Sequence, residues 1–402
     1  MDEMTLLLGL LVLSYLGNAM FAPGQSAPLG LPSGAHFMVL GFLLGPHALG
    51  IVPSGAAASF MPLAMLATSW LALTLGVSCG YAGERTLTVG AFGFGIGAAL
   101  LTAAMIGGPV FVAARWFAHL PLREASLVAL GIGLAGCETT RQSVRWVLDR
   151  GAVPSRLLRL LEALAGTDEL VPLLGLAIFF AMLPAPASLV GVSQTGWVAL
   201  TLVLGVTLGM TTSVLLAGFG VVQDAWGVLL GAALLATGIT WRLTLSPLTA
   251  SFIMGACLSI GSRHAAELRV LLARTAPGVL LPALLLTGAL VRLPLSPGPL
   301  WITGSAFVAR LLVRLALGQV LARVVGAPAD KRLPFGLALC STGSVSVLVA
   351  LSFALGMPGP AGDLVLTAAA ASGVAGDLLA TFGLRQAFLG QAPAPELVVS
   401  PS

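Results

Sequence analysis

Thirteen apolar stretches, each near the ~20 residues a helix needs to cross a ~30 Å hydrocarbon core, constrain this chain more than any other feature. They run over residues 4–20, 34–50, 59–79, 89–112, 126–147, 160–184, 195–219, 226–240, 247–262, 275–291, 300–322, 334–356 and 364–384. Only 8% of the 402 residues are charged, against roughly 25% in soluble proteins. So little charge could not cover a water-facing surface, which excludes a soluble globular enzyme. The expected fold class is an all-α polytopic membrane protein of about 13 transmembrane helices. The 50 glycines and 25 prolines fit membrane helices that bend, break or pack closely. Membrane lipid is therefore an expected partner. Nucleic acid is not, because aromatics are 6% and the net charge is only +4. Cys79, Cys137, Cys257 and Cys340 are too scattered for zinc ligation or a disulfide framework. No cofactor is implied.

The fourth stretch is the least regular, because Gly107, Gly108 and Pro109 interrupt it and apolar character continues to Phe117. The first begins after Asp2 and Glu3, with no basic flank and no small-residue cleavage site, and does not read as a removable signal peptide. Eleven Lys/Arg fall in one set of loops, from Arg85 to Arg385, and four (Arg115, Arg123, Arg242, Arg292) in the other. The richer side is expected to be cytoplasmic. That puts the N-terminus outside and the C-terminus inside, in a multi-pass protein of the inner (cytoplasmic) membrane. Residues 1–387 read as one transmembrane transporter domain. Residues 388–402, Pro-rich and short, read as a disordered cytoplasmic tail.

The chain carries signs of an internal repeat. Gly41–Gly45 in the second stretch matches Gly255–Gly261 in the ninth. A polar interruption in the fifth, Cys137-Glu138-Thr139-Thr140, matches Cys340-Ser341-Thr342-Gly343-Ser344 in the twelfth, and Asp168 in the sixth matches Asp377 in the thirteenth. The offsets are 214, 203 and 209 residues, each spanning seven helices. An odd helix offset makes the partners cross in opposite directions, as in the inverted repeats of secondary transporters. A helix that unwinds in mid-membrane must line a cavity or be buried in protein. Two such breaks meeting near the midplane would bring half-helix dipoles and free carbonyls to one point, which suits an ion. The bland alternative is two kinked helices packed on each other.

Ionisable groups inside apolar stretches cost at least ~2.5–3.5 kcal/mol each on insertion scales, so they are functional candidates. The acids are Glu138 at the first break, the adjacent Asp168 and Glu169, and Asp377; the bases are Arg310 and Arg314, with Arg141 and Arg145 after the break. Arg310 and Arg314, spaced i, i+4, share one helix face and need the carboxylates as partners. Asp168 and Glu169 point about 100° apart, so one can face a cavity while the other pairs with arginine. A carboxylate poised between protonated and ionised binds either H⁺ or a cation. The alternatives are an N-cap role for Thr167 or Asp168 at a helix start, a packing or capping role for Asp377, and Arg314 snorkelling toward a helix end. His36, His47, His119 and His264 show no metal-ligand spacing, and Gly93–Gly97 (GFGIG) reads as helix packing, not a phosphate loop.

These residues resemble the monovalent cation:proton antiporter superfamily, in its bacterial sodium/hydrogen or potassium/hydrogen exchanger branch without a regulatory domain. The likeness covers nearly the whole chain. It rests on Leu31-Pro32 with Gly41–Gly50, on Cys137–Leu148 with Gly151, Val153 and Ser155, and on Gly166-Thr-Asp-Glu-Leu-Val. It continues through Gly255-Ala-Cys-Leu-Ser, Leu281-Pro282 with Gly288, Arg314 before Gly326, and Thr342-Gly343. The resemblance implies thirteen helices, a dimerisation part and a core part with crossed broken helices, elevator-like movement of that core, and a homodimer. Two departures stand out. The acidic pair is Asp-Glu, so the site reads either as two acids, Asp168 and Glu169, or as the neutral-plus-acid pair Thr167-Asp168. Glu138 and Arg141 stand at the first break, where the family usually has a small or neutral residue.

The resulting expectation is a secondary active transporter, not an enzyme, that exchanges Na⁺ or K⁺ for H⁺ by alternating access. Asp168 with Glu169 and Thr167 would bind the ion, and Glu138, Thr139, Thr140 and local carbonyls would complete an oxygen shell. Arg314 and Arg310 would compensate the acids, and Ser341, Thr342 and Gly343 form the second break. The rivals are a sodium-coupled organic-anion symporter and a transport-inactive membrane subunit or sensor frozen by Glu138–arginine pairing.

Overall fold

A computed structural model describes residues 34–53, 59–80, 89–138, 167–184, 192–218, 225–292, 296–324, 332–333, 336–337 and 339–388, with Gly9 and Val12. Apart from Gly9 and Val12, the first apolar stretch lies outside the described residues, as do residues 389–402, Thr139, Thr140, Arg141 and Arg145. Among the described residues there are twelve helices and no strand. They are α1 (Ala35–Leu44), α2 (Met61–Gly80), α3 (Val89–Trp116), α4 (Leu122–Gly136), α5 (Leu170–Ala181) and α6 (Gln194–Ala217). The second half holds α7 (Ala225–Arg242), α8 (Pro247–Gly261), α9 (Ala265–Leu290), α10 (Pro297–Val324), α11 (Ser344–Gly356) and α12 (Pro360–Phe388). Seven of them, α2, α3, α6, α7, α9, α10 and α12, are long and apolar enough to cross a membrane.

Many large apolar side chains face outward while six charged ones, Arg314 among them, are enclosed among the described residues. Val214 is 74% exposed and Arg314 only 1%. Water would reverse that order, and lipid favours it.

Several helices depart from the apolar stretches that announce them. The second stretch makes a helix only to Leu44; at Gly45-Pro46 the chain turns, and Leu49 N–H donates back to Leu43 O at 3.0 Å. Proline cannot extend that helix, because it removes the i→i−4 bond. The fourth stretch runs on through Pro109 to Trp116 as one helix. Packing holds it: a side chain on Gly107 would lie 3.0 Å from Ala129 O of α4. The tenth begins ten residues early, at Ala265, because Leu268 and Leu272 are buried on one face of a charged, amphipathic turn. Among the described residues Gly93 and Gly97 pack on no other helix: a Cβ at either would meet nothing within 4 Å, and neighbouring Phe92 and Phe94 are exposed. That corrects the reading of GFGIG as a packing motif.

The bundle divides into two groups. Helices α1, α2, α7, α8 and α9 pack chiefly on one another, with α6 against α8, while α3, α4, α10, α11 and α12 form the second group. Helix α5 touches both. Hydrogen bonds cross the seam at Thr249 Oγ1 to Leu173 O (2.6 Å) and at Arg292 N to Thr367 Oγ1 (3.3 Å), with an ion pair between Arg292 Nη1 and Asp363 Oδ2 at 2.9 Å.

Two crossings in the first group make the repeat physical. A Cβ on Gly41 of α1 would strike Leu285 O of α9, and one on Gly288 of α9 would strike Met38 O of α1. Likewise Gly255 of α8 abuts Leu73 O of α2, and Gly76 of α2 abuts Phe252 O of α8. Helices α1 and α8 correspond across the repeat, and so do α2 and α9, with Gly76 and Gly288 offset by 212 residues. One crossing therefore exchanges into the other. Close backbone approach through small residues is how membrane helices gain packing without a hydrophobic drive. Gly255→Leu is expected to destabilise the fold by at least the ~1–3 kcal/mol of an overpacked core, because backbone must move. Gly97→Ala should be neutral or slightly stabilising. Thermal unfolding and monodispersity of the two purified variants decide this; equal behaviour would refute the crossing.

Candidate functional site

The C-terminal end of α4 meets the N-terminal end of α11. Helix α4 stops at Gly136, with Cys137 closing its last turn (φ −86°, ψ −14°). Helix α11 starts at Ser344, after Cys340 turns and residues 341–343 run extended, with Gly343 at φ −89°, ψ 170°. Every helix end leaves about four carbonyls or four N–H groups unmatched, which is costly away from water. Here the two ends serve each other. Ser346 Oγ donates to Ala135 O, and Ser346 N–H donates to a carboxylate oxygen of Glu138 (Oε2). Arg314 Nη2 donates to Gly136 O at 2.9 Å and to Glu138 O. An acidic side chain thus sits at the N-terminal end of α11 and a basic one at the C-terminal end of α4, the arrangement helix dipoles favour. Gly343 is a steric requirement of that geometry, since any Cβ there would overlap the Glu138 carboxyl.

The acidic pair lies at the N-terminal end of α5. The helix proper begins at Leu170, and Glu169 precedes it without a side-chain cap. Thr167, Asp168 and Glu169 are all 3% exposed or less, so these acids are enclosed even though they stand at a helix start. Cys79 Sγ of α2 donates to Glu169 Oε2 at 3.6 Å, which ties this end of α5 to the first helix group. The charges of Asp168, Glu169 and Arg310 all act on Glu138, so the residues the sequence singles out share one electrostatic neighbourhood.

Arg310 and Arg314 are both buried and lie well inside α10, away from its own ends. Arg310 Nη2 lies 3.4 Å from Ser341 O, and the Asp377 carboxylate is among the charges acting on it. Among the described residues, Arg310 Nε and Nη1 and Thr342 Oγ1 have no hydrogen-bond partner. Of the second break, Gly343 borders Glu138, while Ser341 and Thr342 are held from the other side by Asp377. Among the described residues the buried ionisable groups include four carboxyls (Glu138, Asp168, Glu169, Asp377) and two guanidiniums (Arg310, Arg314). Among the described residues no three His, Cys, Asp or Glu side chains are set to hold a resident metal.

Sequence reading missed Ser346 and Cys79. Ser346 is the third residue of α11, where helix N–H groups seek acceptors, and that position was its only signal. Cys79 gave none, since its partner is ninety residues away.

The end of α4 and the start of α11 meet inside an all-helical membrane bundle, and the comparison with solved structures gives its fold as that of the sodium/proton antiporters. It is similar to the solved structure of the sodium proton antiporter MjNhaP1 from Methanocaldococcus jannaschii at pH 8, with 17% identity, a TM-score of 0.63, and coverage of 97% of this chain and 99% of that one. An electron-microscopy structure of the same antiporter aligns over 100% of both chains, with 17% identity and a TM-score of 0.61. No family model and no curated protein sequence matches the chain. What is shared is the fold, and the chain is an integral membrane protein of that fold.

Proposed function

We propose that this protein exchanges a monovalent cation, Na⁺ or K⁺, for protons by alternating access. One observation carries the reading: three carboxyls, Glu138, Asp168 and Glu169, are buried where α4, α5 and α11 meet in an antiporter fold. Enclosed negative charge must be neutralised by bound protons or cations, because its desolvation is otherwise too costly. Exchange follows if the same groups accept either one. Asp168, with Glu169 and Thr167 beside it, is the carrier. Glu138, Thr139, Thr140 and carbonyls of the broken segments, Ser341, Thr342 and Gly343 among them, supply oxygens of the kind hard cations prefer. Arg314 and Arg310 balance the acids when no cation is bound. The second helix group moves as the core against the first, and the first forms the dimerisation part of a homodimer.

The protein belongs by this reading in the inner membrane, N-terminus outside and C-terminus in the cytoplasm. A second reading, a transport-inactive subunit, has one observation in its favour: Glu138 is already engaged by Ser346 N–H. Proteoliposomes with an imposed pH gradient separate the two. Addition of Na⁺, K⁺ or Li⁺ is expected to collapse the gradient through the wild-type protein. Silence toward all three cations in correctly folded protein would overturn antiport and favour the inactive subunit.

A further inference from the structure

Asp377 sits on α12, outside the carrier group, and is fully buried. Its Oδ1 accepts two hydrogen bonds from the second broken segment, from Ser341 Oγ and from Thr342 N–H, each at 2.7 Å. The face of α12 around it is shaped for the same segment. Gly373, Gly376 and Asp377 share that face by their i, i+3, i+4 spacing. A Cβ on Gly376 would lie 2.5 Å from Cys340 O, and one on Gly373 would lie 3.0 Å from Thr342 Oγ1. From the opposite side Arg310 Nη2 reaches Ser341 O. Residues 340–342 are therefore clamped between α12 and α10. The clamp has a consequence one residue further on. Gly343 abuts the Glu138 carboxyl, and Ser346, on the first turn that follows, holds its Oε2.

We infer that Asp377 is a positioning residue for the ion site: by fixing residues 341–342 it sets where Gly343 and Ser346 hold the Glu138 carboxylate. It does not carry cargo. In the repeat it is the counterpart of Asp168, but its accepting oxygen is committed to the segment it holds. The inference rests on the cation/proton exchange proposed above.

The experiment measures cation-dependent exchange kinetics in proteoliposomes, together with the thermal shift of purified protein titrated with Na⁺, K⁺ and Li⁺. The variants are Asp377→Ala, Asp377→Asn and Ser341→Ala. Asp377→Ala is expected to raise the apparent KM, and the cation midpoint of the thermal shift, about tenfold while kcat stays within about twofold. Ser341→Ala, which leaves the Thr342 N–H bond, should shift both by roughly threefold, and Asp377→Asn, which keeps an acceptor oxygen, should fall between. A lower melting temperature with unchanged KM and midpoint in all three variants would reduce Asp377 to a packing residue and overturn the inference. Complete loss of exchange in Asp377→Asn would overturn it in the other direction, making Asp377 a carrier. Wild-type protein that neither exchanges nor shifts with any cation would fail the functional reading itself, a result distinct from both.

Discussion

Asp168→Asn is expected to abolish cation-dependent collapse of a pH gradient, leaving only the leak of empty liposomes. Asn has nearly the shape of Asp and keeps an acceptor oxygen, so a residue only 1% exposed can be replaced without opening a cavity. What disappears is the charge. A cation entering this enclosure sheds water and is repaid chiefly by negative carboxylates. At ~4 Å and an effective dielectric of ~20, one unit charge contributes on the order of 4 kcal/mol. That corresponds to roughly a thousandfold in affinity. The proton half of the cycle fails as well, since an amide does not titrate. Folding should survive, because an amide keeps the shape of the buried side chain and removes the cost of enclosing a charge. The check is the gradient assay run beside thermal unfolding of the purified variant. Wild-type exchange by a well-folded Asp168→Asn protein would remove Asp168 from the carrier role.

Arg314→Met should damage both stability and transport. The side chain is enclosed, and its Nη2 donates to Gly136 O and Glu138 O at the end of α4. Met fills much of the volume but provides neither donor nor charge. Removing one partner of a buried ionic arrangement typically costs ~3–5 kcal/mol, because the groups left behind stay buried without compensation. Here those groups are the last carbonyls of α4 and the neighbouring carboxylates. A lower melting temperature and loss of exchange are expected together. Arg314→Lys should recover part of the stability, since it restores the charge but not the planar pair of bonds. A thermal unfolding series over the three proteins tests this. Met, Lys and Arg melting at one temperature would show that α4 does not depend on the guanidinium.

Much of the candidate site was legible in the sequence because charges in apolar stretches are expensive. Glu138, Asp168, Glu169, Arg310 and Arg314 announced themselves in this way, and all five are enclosed at the crossing. The two polar runs announced the helix breaks for a related reason, as each interrupts an otherwise unbroken apolar pattern. The glycines show where that legibility ends. Gly93 and Gly97 form the more conspicuous motif, yet they face open space, while Gly76 and Gly288 lie against a neighbouring backbone. Nothing local distinguishes the two cases, because a glycine acquires its role from whatever stands opposite it. Helix limits failed similarly: hydropathy ends where charges begin, but α9 continues through an amphipathic turn whose buried leucines need a partner surface.

By itself, the sequence determined that this chain lives in lipid as a helical bundle, that a helix ends at the first polar run and one begins at the second, and which ionisable groups lie buried near those runs. Each is a local matter, decided by the transfer cost of residues within some twenty positions. Only the tertiary structure decided that Ser346 rather than a solvent molecule receives Glu138, that Arg314 closes α4, and that Cys79 meets Glu169. Ser346 and Glu138 are 208 residues apart, Arg314 and Gly136 are 178, and Cys79 and Glu169 are 90. Over such separations the pairing energy depends on which faces the packed helices bring together, and composition and periodicity are silent about that.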